Sequence, residues 1–243
     1  MSIAEVTSQA KDDNQIPLSL MGEALLACPG GVLFWPSQDA LVVADLHLEK
    51  GSSFARRGVF LPPYDSRATL ERLARIVERL TPKTIIALGD SFHDGQGAER
   101  LCAEDRKILT SMQAGRDWIW VAGNHDPLPP QELGGTAVDE VSFGKLKFRH
   151  EPLPGATGEV AGHLHPCAKV RGRSRSVRRP CFIENGERLI MPAFGALTGS
   201  LNICDGAYSS LFKTRPLANI YMLGEEQIYK VNYKECRPDS RLR

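Results

Sequence analysis

The sequence predicts one α/β domain whose strands form mixed sheets, and two observations support this fold class. Between about residues 41 and 121, apolar strand-like runs alternate with helical segments, as in a sheet with crossover helices. After about Val138, short strands and turns follow one another. No linker is long enough to divide the 243 residues into two domains. We expect a domain at 16–235, a flexible tail at 1–15 and a second tail at 236–243.

The first half of the chain carries the clearest helical signal. Apolar residues recur at helical spacing over 65–80, with Asp65 or Ser66 as the expected N-cap and Pro82 just beyond the end. The other expected elements are short strands around turns at 29–31 and 36–39, a buried strand in TIIALGD, a helix at 98–113 and a strand in WIWVAG.

The second half carries hairpin signals between short strands. The turns are expected at Phe143-Gly144, at Asn185-Gly186 and at Gly224. Together the two halves predict a crossover sheet followed by antiparallel strands.

Composition and charge describe an ordinary globular protein. Hydrophobic residues make up 42% and charged residues 24%, which argues against disorder, and the net charge of +1 excludes a polycation. The six cysteines form no CxxC pair, so we expect reduced thiols and a cytoplasmic location. No apolar stretch approaches the length of a membrane span, and the polar N-terminus lacks a secretory apolar segment.

Polar residues of similar chemistry follow three predicted strands. LVVAD ends at Asp45 with His47 just beyond, IIALGD ends at Asp90, and WVAGNHD ends in Asn124 and His125. Ligands collect at the carboxyl ends of strands in open α/β sheets. Later strands add three more histidines, which are His150, His163 and His165. Each residue alone has a simpler interpretation as a turn or cap, but the repetition favours a shared site.

The residue types at these strand ends suit divalent metals. Carboxylate, amide oxygen and imidazole together bind Mn²⁺, Fe²⁺ or Zn²⁺. Two such ions can share one carboxylate and clamp a phosphoryl group for in-line attack. We expect two divalent ions, with Mn²⁺ as the first choice and Fe²⁺ or Zn²⁺ as alternatives.

The order of these motifs resembles a known superfamily. D-x-H, G-D, G-N-H-D, a lone H and G-H-x-H follow one another over residues 41–166, as in the calcineurin-like metallophosphoesterases. The segments DLHLEKGSSFARRG, LPPYD, GDSFHD and GHLHP are similar to the bacterial ligase-associated DNA damage response endonucleases. The resemblance implies a four-layered αββα sandwich and phosphoester hydrolysis.

The resemblance also implies a role for each site residue. One metal would be held by Asp45, His47 and His165, and the other by Asn124, His150 and His163. Asp90 would bridge the two metals, and His125 would stabilise the transition state or protonate the leaving oxygen. Two departures stand out. His150 is followed by Glu rather than the usual Gly, and the role of His93 in GDSFHD is open.

A basic segment, KVRGRSRSVRR, occupies residues 169–179 and contains no acid. Such a run is usually a solvated loop. Its cations are Lys169, Arg171, Arg173, Arg175, Arg178 and Arg179. The first four are spaced by two, so an extended chain would direct them to one side, as a loop or hairpin that could bind a phosphate backbone. The segment begins four residues after His165, and we therefore expect it beside the metals.

These features predict a two-metal phosphodiesterase that acts as a DNA endonuclease in repair. DNA is the expected partner, and the resemblance implies repair proteins such as a ligase or helicase as further partners. One alternative is a phosphoesterase for nucleotides, cyclic nucleotides or pyrophosphate. Another is a non-catalytic scaffold on the same fold, although a scaffold does not need a complete ligand set. Metal identity, preferred DNA structure, endonuclease versus exonuclease action and oligomeric state stay open.

Overall fold

Two mixed β-sheets lie face to face at the centre of the protein. The computed structural model describes residues 14–128, 130–172, 175–212 and 218–239. The first sheet contains seven strands in chain order: β1 Ile16–Leu20, β2 Glu23–Cys28, β3 Val32–Trp35, β4 Ala40–Val43, β5 Thr84–Leu88, β6 Asp117–Val121 and β7 Thr136–Val138. β1 to β4 pair antiparallel, and β4 to β7 pair parallel.

The second sheet contains nine strands: β8 Glu140–Phe143, β9 Leu146–Arg149, β10 Glu159–Ala161, β11 Pro166–Arg171, β12 Ser176–Glu184, β13 Arg188–Ile190, β14 Leu201–Asn202, β15 Asn219–Leu223 and β16 Ile228–Val231. The spatial order is β14-β11-β12-β13-β10-β9-β8, and the long β12 also pairs with β15, which pairs with β16. β9, β10 and β13 pair parallel, and the hairpins at the three expected turns are antiparallel.

The helices cover the outer face of the first sheet. They are α1 Lys50–Ala55, α2 Asp65–Leu80, α3 Gly97–Arg100 and α4 Ala103–Gln113. Three apolar clusters separate the layers: α2 and α4 pack on the first sheet, the two sheets pack on each other, and Tyr208, Leu211 and Phe212 cover the second sheet. The sandwich expected from the resemblance is confirmed. In the described part of the chain, its outermost layer is a short 3₁₀ turn, Gly206–Tyr208, with neighbouring loop.

The central strands are apolar throughout because both of their faces are covered. Along β4, Leu41 and Val43 pack in the helix-facing cluster, whereas Val42 and Ala44 pack between the sheets. This is the period-2 alternation of a strand with two buried faces. The apolar run therefore continues up to Asp45, where the strand ends.

Two helix details differ from the sequence-based expectation. The N-cap of α2 is Tyr64, because Asp65 accepts a hydrogen bond from the Gly51 N–H at 3.1 Å and Ser66 bonds to Glu49 at 2.8 Å. These side chains connect the starts of α1 and α2 instead of capping α2. The helix expected at 98–113 is divided into α3 and α4, since Leu101 is extended.

The ends of the chain pack more closely than expected. Gln15 is 7% exposed, although the sequence places it in the N-terminal tail, whose residues 1–13 lie outside the described residues. The expected tail at 236–243 begins as packed chain. Cys236 is buried and forms an isolated antiparallel β-bridge with Val170. The Arg237 N–H donates to the Lys169 carbonyl at 2.8 Å. Residues 240–243 are not described.

No helix within the described ranges has the length and apolar character needed to cross a bilayer.

Candidate metal centre

The predicted site residues meet where the strand ends of the two sheets face each other. The carboxyl ends of the parallel strands β4, β5 and β6 lead into Asp45, Asp90 and Asn124. In the second sheet, β9 leads into His150, and β10 leads into His163 and His165. The topology therefore brings together residues that are up to 120 positions apart in sequence because each follows a strand that ends at the same edge.

The backbone turns sharply at these residues. Positive φ angles occur at Asp45 (55°), His47 (44°), Asp90 (46°), His163 (68°) and His165 (45°). This left-handed region is uncommon for residues other than glycine and costs free energy, and it concentrates at functional sites. Five of the predicted site residues thus adopt a conformation that the surrounding fold must hold in place.

Glycines allow the site to close around its carboxylates. A Cβ on Gly162 would lie 2.6 Å from Asp45 Oδ2. A Cβ on Gly89 would overlap the His150 ring, and one on Gly123 would overlap Asp90. The glycine in each G-D, G-N-H and G-H motif therefore makes space for a ligand from another motif.

A first cluster consists of Asp45, His47 and His165. His165 Nε2 lies 3.3 Å from Asp45 Oδ1 and 3.4 Å from His47 Nε2. The Nδ1–H of His165 donates to the Gly199 carbonyl at 3.1 Å, which leaves Nε2 as a lone-pair donor toward the cluster. These three ligand groups lie close enough together to hold one ion.

A second cluster consists of Asn124, His150 and His163. Asn124 Oδ1 lies 3.0 Å from His150 Nε2 and 2.9 Å from His163 Nδ1, and the two ring nitrogens are 3.2 Å apart. His150, the ligand with the unusual sequence context, is 3% exposed and lies at the centre of the site.

Asp90 lies between the two clusters. Its Oδ2 is 3.7 Å from His47 Nε2, and its Oδ1 is 3.3 Å from His150 Nε2. The backbone N–H of His125 donates to the same Oδ1 at 2.9 Å. One carboxylate therefore presents an oxygen to each cluster, as a bridging ligand must.

The donor set fits a cation in chemical terms. The Nδ1–H of His150 donates to the Leu88 carbonyl at 3.2 Å, so Nε2 of the neutral ring presents a lone pair. That lone pair faces the oxygens of Asn124 and Asp90, which are also acceptors. Converging acceptors of this kind require a proton or a metal ion between them.

The pKa shifts reflect this electrostatic arrangement. Burial favours the neutral form of His150, but its bond to Asp90 and the charge of Asp45 outweigh burial and raise its pKa to about 9. Burial disfavours ionised Asp90, yet the bond from His150 lowers the pKa of Asp90 to about 2. For His47, burial dominates and lowers the pKa to about 3 despite the charge of Asp90. In the metal-free site, the proton on His150 therefore offsets the charge of the ionised Asp90 carboxylate.

His125 stands at the open side of the centre. It is exposed, its Nδ1–H donates to the His93 carbonyl at 2.9 Å, and its Nε2 lies 3.9 Å from Asp90 Oδ2. Nε2 is therefore the nitrogen that is free to act on a bound group. Burial, assisted by the charge of Lys50, lowers the pKa of the neighbouring His93 to about 4.

Several participants were missed from the sequence. The carbonyls of Leu88 and Gly199 orient ligand imidazoles, and no sequence signal identifies a backbone acceptor. Asp126 is buried, accepts the Phe92 N–H at 3.0 Å, and has a pKa that burial raises to about 7. Its position directly after Asn124 and His125 in the G-N-H-D motif was the sequence signal that could have assigned it to the site.

The basic segment forms a hairpin of β11 and β12, in which Lys169 pairs with Arg178 and Arg171 pairs with Ser176. These side chains share one face of the ribbon. The one-sided array expected from the spacing is wrong, because the chain turns where Gly172 N–H donates to the Arg175 carbonyl at 2.9 Å.

The remaining cations of the hairpin lie elsewhere. Arg179 lies on the opposite face with Val170 and Val177, and Arg173 lies outside the described residues. Arg178 donates to the Ser200 hydroxyl and carbonyl at 2.7 Å, and Ser200 follows Gly199, the acceptor for His165. Arg178 is therefore linked to the first cluster through Ser200 and Gly199.

A family comparison agrees with the fold and the site. The family described as calcineurin-like phosphoesterase matches residues 40–219, which is most of the chain. The protein belongs to the calcineurin-like phosphoesterase family, whose members use two metal ions. It is a metal-dependent phosphoesterase, and the coarse prediction of hydrolase chemistry is confirmed.

Among solved structures, the crystal structure of Pseudomonas putida nuclease MPE is similar to this chain. The identity is 27%, the TM-score is 0.69, and the match covers 90% of this chain and 100% of that chain. Protein AQ665 of unknown function from Aquifex aeolicus matches with 15% identity, a TM-score of 0.37 and coverage of 56% and 81%, which is too weak for an argument. A search of curated proteins gives no match.

Proposed function

We propose that the protein is a two-metal nuclease that hydrolyses phosphodiester bonds in DNA during repair. The observation that carries the proposal is the position of Asp90, which presents one oxygen to each ligand cluster. The similarity to a nuclease from Pseudomonas putida supports a nucleic-acid substrate for this chain.

In the proposed centre, Asp45, His47 and His165 hold one ion, Asn124, His150 and His163 hold the other, and Asp90 binds both. When bound, the two ions neutralise the phosphate and activate water for in-line attack. The chain's own contribution is to orient the ligands. The Leu88 and Gly199 carbonyls select the Nδ1–H tautomers of His150 and His165, so that Nε2 of each ring is available.

His125 acts on the leaving group in this proposal. Its Nδ1–H is held by the His93 carbonyl, and its Nε2 faces outward beside Asp90. From this position Nε2 can donate a proton or a hydrogen bond to the departing oxygen. His125 need not bind either ion.

The basic hairpin supports a polymeric substrate. Lys169 and Arg178 lie on the face that reaches the first cluster through Ser200. The Asp239 carboxylate accepts a hydrogen bond from Arg178 Nε at 3.2 Å and lies 4.0 Å from Lys169 Nζ, so these two cations together attract one anion in the structure. We propose Lys169, Arg171, Arg173, Arg175 and Arg178 as the nucleic-acid contacts. Arg179 lies on the opposite face of the ribbon and is outside the proposed contact.

The loops around the centre expose apolar side chains beside cations. Six large apolar residues are exposed among the residues described, and five of them follow strand ends that carry proposed ligands: Val59, Phe60, Tyr64, Leu128 and Leu153. Phe60 and Tyr64 are 85% and 76% exposed, and Arg56 and Arg57 precede them. Exposed aromatic side chains close in sequence to basic residues are typical of surfaces that stack bases.

The alternatives are distinguished by substrate. A phosphoesterase for nucleotides, cyclic nucleotides or pyrophosphate would use the same centre without the hairpin or the exposed aromatics. A scaffold would use neither set of ligands. We also propose Mn²⁺ as the natural metal, a cytoplasmic location, and a ligase or helicase as repair partners.

The test is a substrate panel with added Mn²⁺ that contains single-stranded, duplex and nicked DNA, RNA and small phosphodiesters. The matched control is Asp90→Asn, which keeps the size of the side chain and removes its charge. We expect metal-dependent cleavage of DNA by the natural chain and none by the control. Turnover restricted to small phosphodiesters would favour the small-molecule alternative, and no turnover of any substrate would favour the scaffold.

A further inference from the structure

His93 is the one histidine without a role in the proposed centre, although backbone hydrogen bonds fix its position beside it. It is half-buried and follows Asp90 by three residues. Its N–H donates to the Leu48 carbonyl at 2.9 Å, and the Leu48 N–H donates to Ser91 at 2.9 Å. These bonds extend the parallel pairing of β4 and β5 beyond the strands and bring His93 beside His47.

Three rings surround the His93 side chain. The Phe54 ring lies at a centroid distance of 5.5 Å and is tilted by 37°, and the His125 ring is stacked on His93 at 5.0 Å with an angle of 25° between the planes. On its edge, Nδ1 lies 3.5 Å from Nδ1 of His47. His93 therefore contacts both a proposed ligand and the proposed proton donor.

The hydrogen positions follow from the orientation of His47. Its Nε2 faces His165 and Asp90, which is the side of the ion. A neutral imidazole that binds a metal through Nε2 carries its proton on Nδ1. The group facing that Nδ1–H is Nδ1 of His93, which can accept only when the proton of His93 is on Nε2. Ligand histidines usually donate this second N–H to a carboxylate or carbonyl, and here an imidazole occupies the acceptor position.

We propose that His93 is a positioning residue that supports both halves of the centre: Nδ1 accepts a hydrogen bond from His47, and the ring stacks on His125. The inference rests on the proposed function, because it uses His47 as a ligand and His125 as the proton donor. The 3.5 Å separation of the two Nδ1 atoms lies at the long limit for a hydrogen bond. The backbone bond from the His93 N–H to the Leu48 carbonyl keeps the acceptor at this position.

Two substitutions separate the roles. In His93→Asn, the amide oxygen can replace Nδ1 as an acceptor, but the stacked ring is lost. In His93→Phe, a ring remains for stacking, but the acceptor is lost. Phe54→Leu serves as a milder third variant, since it loosens the stack while His93 stays in place.

The measurements are Mn²⁺ affinity for each ion by chelator-buffered titration, and turnover of phosphodiesters with good and poor leaving groups. We expect His93→Phe to weaken one of the two ions by about 10- to 100-fold, as loss of a ligand's supporting partner does. We expect His93→Asn and Phe54→Leu to keep both affinities and to lose about tenfold or more on the poor leaving group only. Melting temperature in excess chelator controls for folding.

The outcomes distinguish this inference from the proposed function. A natural chain that neither binds two ions nor cleaves phosphodiesters would overturn the proposed function. If it does both, equal metal affinities in His93→Asn and His93→Phe overturn the acceptor role. A ratio of turnover on good and poor leaving groups that is the same in His93→Asn as in the natural chain overturns the stacking role. His47, His93 and His125 also lie close enough to hold an ion together. A third bound ion that both His93 variants lose would make His93 a ligand and overturn the inference.

Discussion

Asp90 is the residue on which the proposed two-metal arrangement depends. Its two oxygens face different clusters. Asp45 approaches both clusters through Oδ1 alone, which lies 3.3 Å from His165 Nε2 and 3.7 Å from His150 Nδ1. Replacement of Asp90 by Asn leaves one weak oxygen donor without charge. We therefore expect Asp90→Asn to reduce the affinity for both ions, measured by elemental analysis after gel filtration. Two fully occupied sites in this variant would contradict the bridging assignment.

His125 should affect chemistry and not metal content. Its Nε2 lies 3.9 Å from Asp90, its Nδ1–H donates to the His93 carbonyl, and its ring packs on the rings of His93 and His47. We expect His125→Ala to keep both ions and to lose about 10²- to 10⁴-fold in turnover of a poor leaving group. A good leaving group such as p-nitrophenolate needs no proton and should mask the defect. Wild-type rates on the poor leaving group, with both ions bound, would remove His125 from the mechanism.

Metal binding should depend on pH through His150. The pKa of His150 is raised to about 9 in the metal-free protein, so its ring holds a proton that a metal at Nε2 must displace. We expect the affinity of the ion bound by His150 to rise about tenfold per pH unit up to pH 9. The pKa of His47 is lowered, so the other ion should not show this dependence through His47.

The same shift has a consequence for the metal-free fold. Because the folded-state pKa exceeds the ordinary value of 6.5, His150 stabilises the fold fully below pH 6.5, and this contribution is lost as the pH rises through about 9. Chelator-buffered Mn²⁺ titrations between pH 6 and 9 measure the affinity of the ion bound by His150 and so test its raised pKa. A plateau near pH 6.5 would show that His150 has an ordinary pKa.

At the scale of elements, the β11–β12 hairpin separates cations onto two faces. Lys169 and Arg171 lie on the same face of the ribbon as Arg178, whereas Arg179 lies on the opposite face. Each phosphate neutralised on duplex DNA adds roughly 0.9 to the slope of log affinity against log salt. We expect Lys169→Ser with Arg171→Ser to flatten that slope by roughly 1.8 and to spare turnover of a small phosphodiester.

The control for the hairpin is Arg179→Ser, which removes a cation from the same strands and leaves the facing surface intact. A slope that changes as much in this control as in the double variant would indicate a general charge effect. An unaltered slope in the double variant would mean that the hairpin cations are solvated and do not contact DNA, and it would favour the small-molecule substrate.

At the scale of the whole molecule, the metal centre connects the two sheets. Asp45, Asp90 and Asn124 follow strands of the first sheet, whereas His150 and His163 follow strands of the second. Ions that bind only the folded chain should stabilise it, by about 2.7 kcal/mol per ion at a concentration 100 times Kd. We expect chelation to lower the melting temperature of the natural chain by several degrees and that of Asp90→Asn much less. Equal shifts would show that the chelator acts elsewhere.

The sequence by itself determined the features that depend on local chemistry. Apolar runs such as LVVA and TIIAL predict buried strands, since a strand with both faces covered is apolar throughout. The helical spacing over 65–80 predicts α2 with its observed bounds. The motifs also predicted which residues would meet, since strand ends at one edge must converge.

Only the tertiary structure decided the features that depend on distant partners. Asp65 and Ser66 look like caps in sequence, but α1 lies close enough to take their hydrogen bonds. The evenly spaced cations of 169–175 suggest one face, but the turn at Gly172 and the pairing of Lys169 with Arg178 divide the set differently. The acceptor carbonyls of Leu88 and Gly199 come from residues distant in sequence from the histidines that they orient. The ring contacts of His93 with Phe54 and His125 also join separate segments of the chain, and no local pattern encodes either arrangement.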